Sequence, residues 1–203
     1  MSARGQGPEN AHTDSSRSSR WRPYLKFAAM TVTGMVVMYW AMFAGTWELG
    51  HVRLSESRIF MTLTMGGTMV LVMFAWMAGM YRSPRANVVL VAIGVLLIGG
   101  GVALDRSQAT VDDTAYMSGM IPHHSLAITR SERAHLADVR VCELAVSISQ
   151  TQREEILEMS WLIDDIRANG PARTASEAAE RETPAFARKA ERSCHGGDAH
   201  VVR

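Results

Sequence analysis

The sequence predicts an all-α protein in which three transmembrane helices precede a helical hairpin outside the membrane. The charges are unevenly spread, because residues 27–104 contain only six of the 41 Lys, Arg, Asp and Glu residues. Three apolar runs without any charge lie within that stretch. From Asp112 onwards, apolar residues recur at the spacing of an amphipathic helix. One soluble globule does not have such a distribution.

The three apolar runs cover Phe27–Trp47, Ile59–Tyr81 and Ala86–Leu104. Each is close to the roughly 20 residues that a helix needs to cross about 30 Å of hydrocarbon. We therefore predict a three-helix membrane domain over residues 25–105, with the lipid bilayer as its partner. Residues 1–24 are mostly polar, and we predict a disordered tail there.

Basic residues set the expected orientation. Four precede the first run, at positions 17, 20, 22 and 26, and Arg82 and Arg85 lie between the second and third runs. The positive-inside rule then places the N-terminal tail in the cytoplasm. Three crossings leave everything after Leu104 outside the plasma membrane.

Composition and motifs exclude several classes of function. A net charge of +1 offers no basic field for nucleic acid, so none is expected as a partner. The sequence contains no nucleotide-binding signature and no nucleophile–base motif, so we do not expect an enzyme. Two cysteines cannot form a disulfide scaffold, although Cys142 and Cys194 could pair outside the cytoplasm.

Methionines recur in the membrane runs. Met61, Met65, Met69, Met73 and Met77 stand at every fourth position of the second run, and Met30, Met35, Met38 and Met42 line the first. One interpretation is packing, because methionine fills irregular gaps between helices. The alternative is a thioether track that conducts Cu(I) or Ag(I).

The hairpin is predicted over residues 110–169, with helices at 112–135 and 138–168. Asp138 is a plausible N-cap, and Gly170-Pro171 ends the second helix. Glu155 lies within the apolar stripe of that helix, where a carboxylate requires a partner. Residues 170–203 are expected to be a flexible tail, in which Cys194, His195 and His200 are a weaker metal candidate.

Soft and borderline metal ligands cluster on the first helix of the hairpin. Met117, Met120, His123 and His124 fall within an arc of about 120° at 100° per residue. Two imidazoles with two thioethers favour copper, and Cu(I) or Ag(I) above other metals. The alternative is an inert histidine pair on a solvated helix, with the methionines in the core.

The stretch Asp113–Ala127, centred on Met120-Ile-Pro-His123-His124, resembles the DUF305 family. Gln152-x-x-Glu155-Ile-x-x-Met159 resembles that family's second motif. The resemblance implies a bacterial, extracytoplasmic protein with a ferritin-like fold, in a family with members linked to copper binding and tolerance. It also implies metal-binding roles for Met117, Met120, His123, His124 and Met159, with Glu155 orienting a histidine.

The chain departs from the family pattern in two respects. Thr129-Arg130 stand where many members have a further methionine, and longer members contain two copies of the motif. One hairpin buries too little surface to be firmly stable. We therefore expect a homodimer that closes a four-helix bundle, or alternatively a third helix from the tail.

These observations predict a membrane-anchored protein that binds copper for sequestration or for handover to a copper-handling partner protein. The main alternative is a helical interaction module in which the histidines are incidental. A further alternative is metal transport along the thioether track of the membrane runs. A di-iron oxidase is disfavoured, because its Glu-x-x-His pattern is missing: Met120 and Ile121 stand three residues before the histidines.

Overall fold

The computed structural model describes residues 11–194, with side chains from residue 21 onwards. The elements within this range are helical, as predicted. The helices are α1 (Ala11–Ala41), α2 (Glu56–Met77), α3 (Pro84–Ser107), α4 (Asp113–Arg133), α5 (Val139–Asn169) and α6 (Ala175–Glu180), with 3₁₀ turns at Leu49–His51 and Ala78–Met80.

The described residues form two compact units. The membrane unit contains the residues up to Tyr39 and Phe60–Arg106, and the outer unit contains Trp40–Ile59 and the chain from Ser107 onwards. The outer unit is therefore assembled from two stretches that are separated in sequence.

Two described helices, rather than the predicted three, are long and apolar enough to cross a membrane: Glu56–Met80 and Pro84–Ser107. Helix α1 does not meet the same criterion. Its apolar part begins at Phe27 and its helical path ends at Ala41, which gives only about 22 Å of apolar helix. The predicted run to Trp47 continues as turns instead.

The apolar side chains of α3 are largely uncovered by protein. Only 11% of its most apolar window is buried, and Val88 and Leu96 are 69% and 72% exposed. A core helix of a soluble protein would bury most of such a stretch. The buried residues of α3 are Gly94 and Gly101. Gly94 lies so close to Gly67 of α2 that a Cβ added at Gly67 would clash with the Gly94 carbonyl oxygen. Small residues at a close helix contact are typical of membrane helices.

Some of the methionines in the first and second apolar runs pack between α1 and α2. Met35 of α1 fills the space over Gly66, and Met69 of α2 fills the space over Gly34. Met61 and Met65 are 45% and 43% exposed at the surface. The packing interpretation therefore explains Met35 and Met69.

Helices α4 and α5 form the predicted hairpin, and their ends agree with the predicted signals. The Asp112 carboxylate accepts a hydrogen bond from the Ala115 amide at 2.7 Å, and Asp138 accepts one from the Arg140 amide at 2.9 Å. Gly170 ends α5 with a φ of 77°, a backbone conformation that favours glycine. Pro122 is buried within α4, which continues through it as one helix.

The hairpin core is a cluster of six buried apolar side chains from the two helices: Met117, Ile121, Ile128, Ile156, Met159 and Ile163. The face of α5 that we predicted as apolar is only partly buried. Val141, Leu144 and Ile148 of that predicted face are 46%, 59% and 38% exposed, whereas Ala145, Ile156 and Ile163 are buried as predicted. Cys142 and Ser149, which lie outside the predicted face, are buried as well.

The loop before α2, which we predicted as part of the 25–105 membrane domain, packs on the hairpin. Trp47 contacts the core cluster, and the Arg133 and Arg153 guanidinium groups lie 5.4 and 5.0 Å from its ring centroid. The Trp47 amide donates a 2.7 Å hydrogen bond to Ser125 Oγ. The hairpin thus gains apolar cover from its own chain.

The described part of the predicted flexible tail makes specific contacts with the hairpin. Helix α6 follows α5, and Cys194 forms a disulfide bond with Cys142 of α5. We call residues 171–194 the strap. The disulfide removes Cys194 as a free thiolate ligand, and His195 and His200 of the weaker metal candidate lie outside the described residues.

Candidate functional site

A pocket of about 530 Å³ opens between α4, α5 and the first part of the strap. Five of the six predicted site residues line it: Met117, Met120, His124, Glu155 and Met159. The two helices position them because each set recurs every three or four residues along one side of its helix. The strap contributes Pro171, Ala172, Ala178, Arg181 and Thr183.

His124 is the polar centre of the pocket. Its side chain is 12% exposed, and its Nδ1 lies 3.1 Å from Glu155 Oε2. The ring is not aligned for a hydrogen bond, so the buried Nδ1 atom has no hydrogen-bond partner among the described residues. Burial lowers the pKa of His124, the Glu155 carboxylate opposes that shift, and His123 adds to it. A neutral imidazole is the form that binds metal ions.

Glu155 connects the histidine to the second helix. Its Oε2 accepts a 3.2 Å hydrogen bond from Gln152 Nε2, and its side chain is 42% exposed. A small rotation of this carboxylate would align it with Nδ1 and leave the other ring nitrogen of His124 free. This arrangement is the one by which carboxylates orient metal-binding histidines.

Two of the three pocket methionines also belong to the hairpin core. Met117 and Met159 are 6% and 9% exposed and pack with the buried isoleucines, while Met120 packs against them from a half-buried position. The core and ligand interpretations of these methionines are therefore compatible, because the same side chains fill the core and line the pocket.

His123 is placed differently from its neighbour. It is exposed on α4 and does not line the pocket, and its ring centroid lies 6.1 Å from that of His124. Consecutive helical residues project about 100° apart, so the pocket that receives one histidine does not receive the other.

Residues 11–194 contain no group of three or more His, Cys, Asp or Glu side chains that could hold a metal ion. A carboxylate-rich or thiolate-rich site is therefore not formed by that part of the chain. The pocket instead offers three thioethers and one imidazole, with the Glu155 carboxylate beside the imidazole, and Asp113, Glu158 and Asp165 also line it. Of the common biological metals, this donor set suits Cu(I) and its analogue Ag(I).

The opposite side of the hairpin contains a polar network that the sequence reasoning missed. The Glu132 carboxylate is 4% exposed and accepts hydrogen bonds from the Ser149 hydroxyl, the Arg153 guanidinium and the backbone amides of Glu191 and Arg192. Burial raises the pKa of Glu132, but these hydrogen bonds and the charge of Arg153 together lower it. The only sequence signal for this network was Ser149, a polar residue at a position of α5 that faces the hairpin core.

His51 lies next to this network. Its Nδ1 is 2.8 Å from Ser125 Oγ, which also accepts a hydrogen bond from the Trp47 amide, and the tautomer of the ring sets whether the imidazole or the hydroxyl donates. Burial lowers the pKa of His51, Glu48 raises it, and Arg53 and Arg153 lower it further. His51 therefore holds the loop on the hairpin through its hydrogen bond with Ser125.

Comparison with known proteins identifies the outer unit. Residues 104–195 match the model of a domain of unknown function, DUF305. This match covers α4, α5 and the strap, and so extends past the motifs in the hairpin. An uncharacterized protein of Acanthamoeba polyphaga mimivirus is 33% identical over 120 residues, which are 58% of this chain and 77% of that protein.

No solved structure matches the chain. The match to the domain model covers the helices that hold the pocket. The chain belongs to the DUF305 family.

Proposed function

We propose that this protein is anchored in a bacterial plasma membrane and binds Cu(I) or Ag(I) outside the cytoplasm. The ion would be held by Met117, Met120, Met159 and His124, with Glu155 orienting the histidine. Its purpose would be sequestration or handover to a copper-handling partner. The observation that carries the proposal is the convergence of these five side chains on one pocket, in which Glu155 Oε2 lies 3.1 Å from Nδ1 of His124.

The chemistry of the pocket fits a monovalent soft ion. Thioethers bind such ions without a proton to displace, and burial keeps His124 in its neutral, coordinating form. Glu155 adds a negative charge at the pocket, which offsets the charge of the ion. No reaction is required of such a site, so the proposal is of a binding protein and not of an enzyme.

The proposed topology has three membrane crossings, with α1 as the first and the N-terminus in the cytoplasm. The basic loop at Arg82 and Arg85 supports a cytoplasmic position between α2 and α3. The Cys142–Cys194 disulfide supports an oxidising compartment for the outer unit, because cytosolic thiols are kept reduced. These are two independent observations for the same orientation.

The adjacent histidines provide a matched pair of variants for the test. We would titrate the full chain in detergent with Ag(I) against a competing chelator, using His124→Ala and His123→Ala in parallel. We expect His124→Ala to weaken binding at least tenfold. We expect His123→Ala to change it less than threefold, because His123 lies outside the pocket.

A double variant separates ligand chemistry from packing. Met117→Leu with Met159→Leu keeps the volume of the core but removes two sulfurs. We expect the double variant to fold and to bind Ag(I) at least tenfold more weakly. No binding by the wild type, or equal loss in both histidine variants, would show that the pocket is not a metal site.

A second candidate function is an interaction module, and one observation favours it. Val141, Leu144 and Ile148 form an exposed apolar stripe on α5. A second copy placed there would close the four-helix bundle expected of a homodimer. Sedimentation of the full chain in detergent would test this, with Leu144→Glu expected to abolish a dimer. Glu143→Lys is the control, since Glu143 is exposed on the same helix but lies outside the stripe.

A further inference from the structure

The first part of the strap forms one wall of the pocket. Ala178, Arg181 and Thr183 line it, while Met117, His124 and Met159 line it from the hairpin. Access to the sulfur atoms of the buried methionines therefore depends on where this part of the strap lies.

This wall is attached weakly compared with the rest of the outer unit. Helix α6 has no buried residue, so no apolar anchor holds it on the hairpin. Its capping contacts are local, with Thr174 Oγ1 accepting from the Glu177 amide at 3.2 Å. The contact that reaches α5 is made by Arg181, whose Nη1 lies 2.9 Å from Asp165 Oδ2 and 3.0 Å from the Gly170 carbonyl oxygen.

The two ends of the strap are fixed by stronger features. At one end, Gly170 caps α5 with a positive φ, which gives the backbone a defined turning point. At the other end, the disulfide of Cys194 and the hydrogen bonds of the Glu191 and Arg192 amides to Glu132 hold the chain on the hairpin. A segment with fixed ends and a weakly held middle can open without leaving the protein.

We propose that residues 171–183 are a hinged lid over the pocket, latched by the ion pair of Arg181 with Asp165, and that opening this latch admits the soft metal ion to the pocket methionines. The identity of the admitted ligand as a soft metal ion rests on the proposed function, whereas the lid itself does not. Arg181 and Asp165 are then positioning residues, because they act on the strap and not on the ion.

The strength of the latch suits this role. The Arg181 and Asp165 side chains are 24% and 16% exposed, so the pair is partly shielded from solvent. A pair of this kind changes an opening equilibrium by about fivefold to tenfold. A change of this size is large enough to slow the exchange of an ion with the pocket and small enough to let the lid open.

Arg167 provides a matched control on the same helix. Its Nη1 lies 3.8 Å from Asp164 Oδ1, and both side chains are largely exposed at 64% and 78%. Arg167→Ala therefore removes one positive charge and one ion pair near the end of α5 but leaves the strap untouched. Arg181→Lys is the conservative variant that keeps the charge opposite Asp165.

The test uses the full chain in detergent and two readouts. Hydrogen peroxide converts accessible methionines to sulfoxides, so mass spectrometry of Met117 and Met159 reports access to the pocket without any metal. Release of Ag(I) to excess chelator reports exchange of the ion. We expect Arg181→Ala to accelerate both processes about fivefold, and Arg167→Ala to leave both unchanged. Arg181→Lys should restore rates close to those of the wild type.

The two readouts separate the possible failures. Unchanged oxidation of Met117 and Met159 in Arg181→Ala would overturn the lid, whatever the metal result. Faster oxidation with unchanged Ag(I) release would overturn its role as a gate. Faster oxidation in a protein that does not bind Ag(I) would support the lid and overturn the metal assignment.

Discussion

The two sides of the α4–α5 hairpin use the same residue types for different purposes. On the loop side, the side that packs against Trp40–Ile59, Glu132 is 4% exposed and accepts four hydrogen bonds. On the pocket side, Glu155 is 42% exposed and lies 3.1 Å from a histidine nitrogen that has no aligned hydrogen-bond partner within residues 11–194. Arg153 and Glu155 are two residues apart, so they project to opposite sides of one helix.

The difference shows how to separate structural from functional polar groups. A buried polar network in which every group is satisfied stabilises the fold and leaves nothing for a ligand. A buried nitrogen without a partner costs free energy, and it is retained where a ligand repays that cost. By this criterion, Glu132 and Arg153 are structural, while His124 and Glu155 remain available to bind.

Removal of the disulfide bond is expected to have the largest effect on the free energy of unfolding. Replacing both Cys142 and Cys194 by serine opens a covalent loop with a sequence separation of 52 residues. The free energy of unfolding should fall by about 4 kcal/mol, because the unfolded chain gains the entropy of that loop. Denaturant unfolding of the full chain in detergent would measure this. A reducing agent should destabilise the wild type but not the double variant.

The two glutamates provide the most direct contrast between the sides. Glu132→Gln should lower the free energy of unfolding by about 3 kcal/mol, because it leaves Arg153 without its buried partner. Glu155→Gln should lower it by less than about 1 kcal/mol, because its side chain is partly solvated. Comparable losses in the two variants would contradict the division of the hairpin into a structural side and a binding side.

Trp47 tests whether the loop is part of the outer unit. Trp47→Ala should lower the free energy of unfolding by about 2 kcal/mol, since a half-buried indole and its contacts with two guanidinium groups are lost. Trp47→Phe should recover part of this loss by restoring the apolar contact. If Trp47→Ala unfolds like the wild type, the loop contributes no stability to the hairpin.

Acid should weaken the loop side through His51, which is the smallest of these effects. Its pKa is lowered from 6.5 in the folded protein, mainly by burial, so below pH 6.5 the unfolded chain binds more protons than the folded chain. The stability due to neutral His51 is thus complete above pH 6.5 and is lost as the pH falls. Unfolding midpoints from pH 7 to pH 5 would show this decline, and His51→Asn, which keeps an acceptor near Nδ1, should reduce it.

The local signals in the sequence predicted the hairpin well. Asp138 and Gly170 act at short range, and both mark the ends of α5 where we expected them. The pocket was largely predictable for the same reason, because helical periodicity places Met117, Met120 and His124 on one side. The exception is His123, which the 120° arc included and the helix directs outward.

Long-range contacts were not predictable from local patterns. The Trp47 amide meets Ser125 across 78 residues, and no periodicity relates a loop between two apolar runs to a helix beyond them. Partners far along the chain also meet the buried residues of α5, since Cys142 bonds to Cys194 and Ser149 donates to Glu132 while Leu144 is exposed. The first apolar run does not meet the criterion for a span for a local reason, since α1 ends at Ala41 before the run does.

The divided origin of the outer unit has a consequence for its biosynthesis. Trp40–Ile59 precedes α2 and α3 in the chain, whereas the hairpin that it covers follows them. With the proposed topology, the ribosome delivers the loop to the outer surface before two further helices have been inserted. Trp47 therefore reaches the outer surface before α4 and α5, and its indole lacks its packing partners on the hairpin until those helices are exported. Maturation of the pocket is thereby tied to completed insertion, and a fragment that begins at Ser107 would lack the segment that covers the hairpin core.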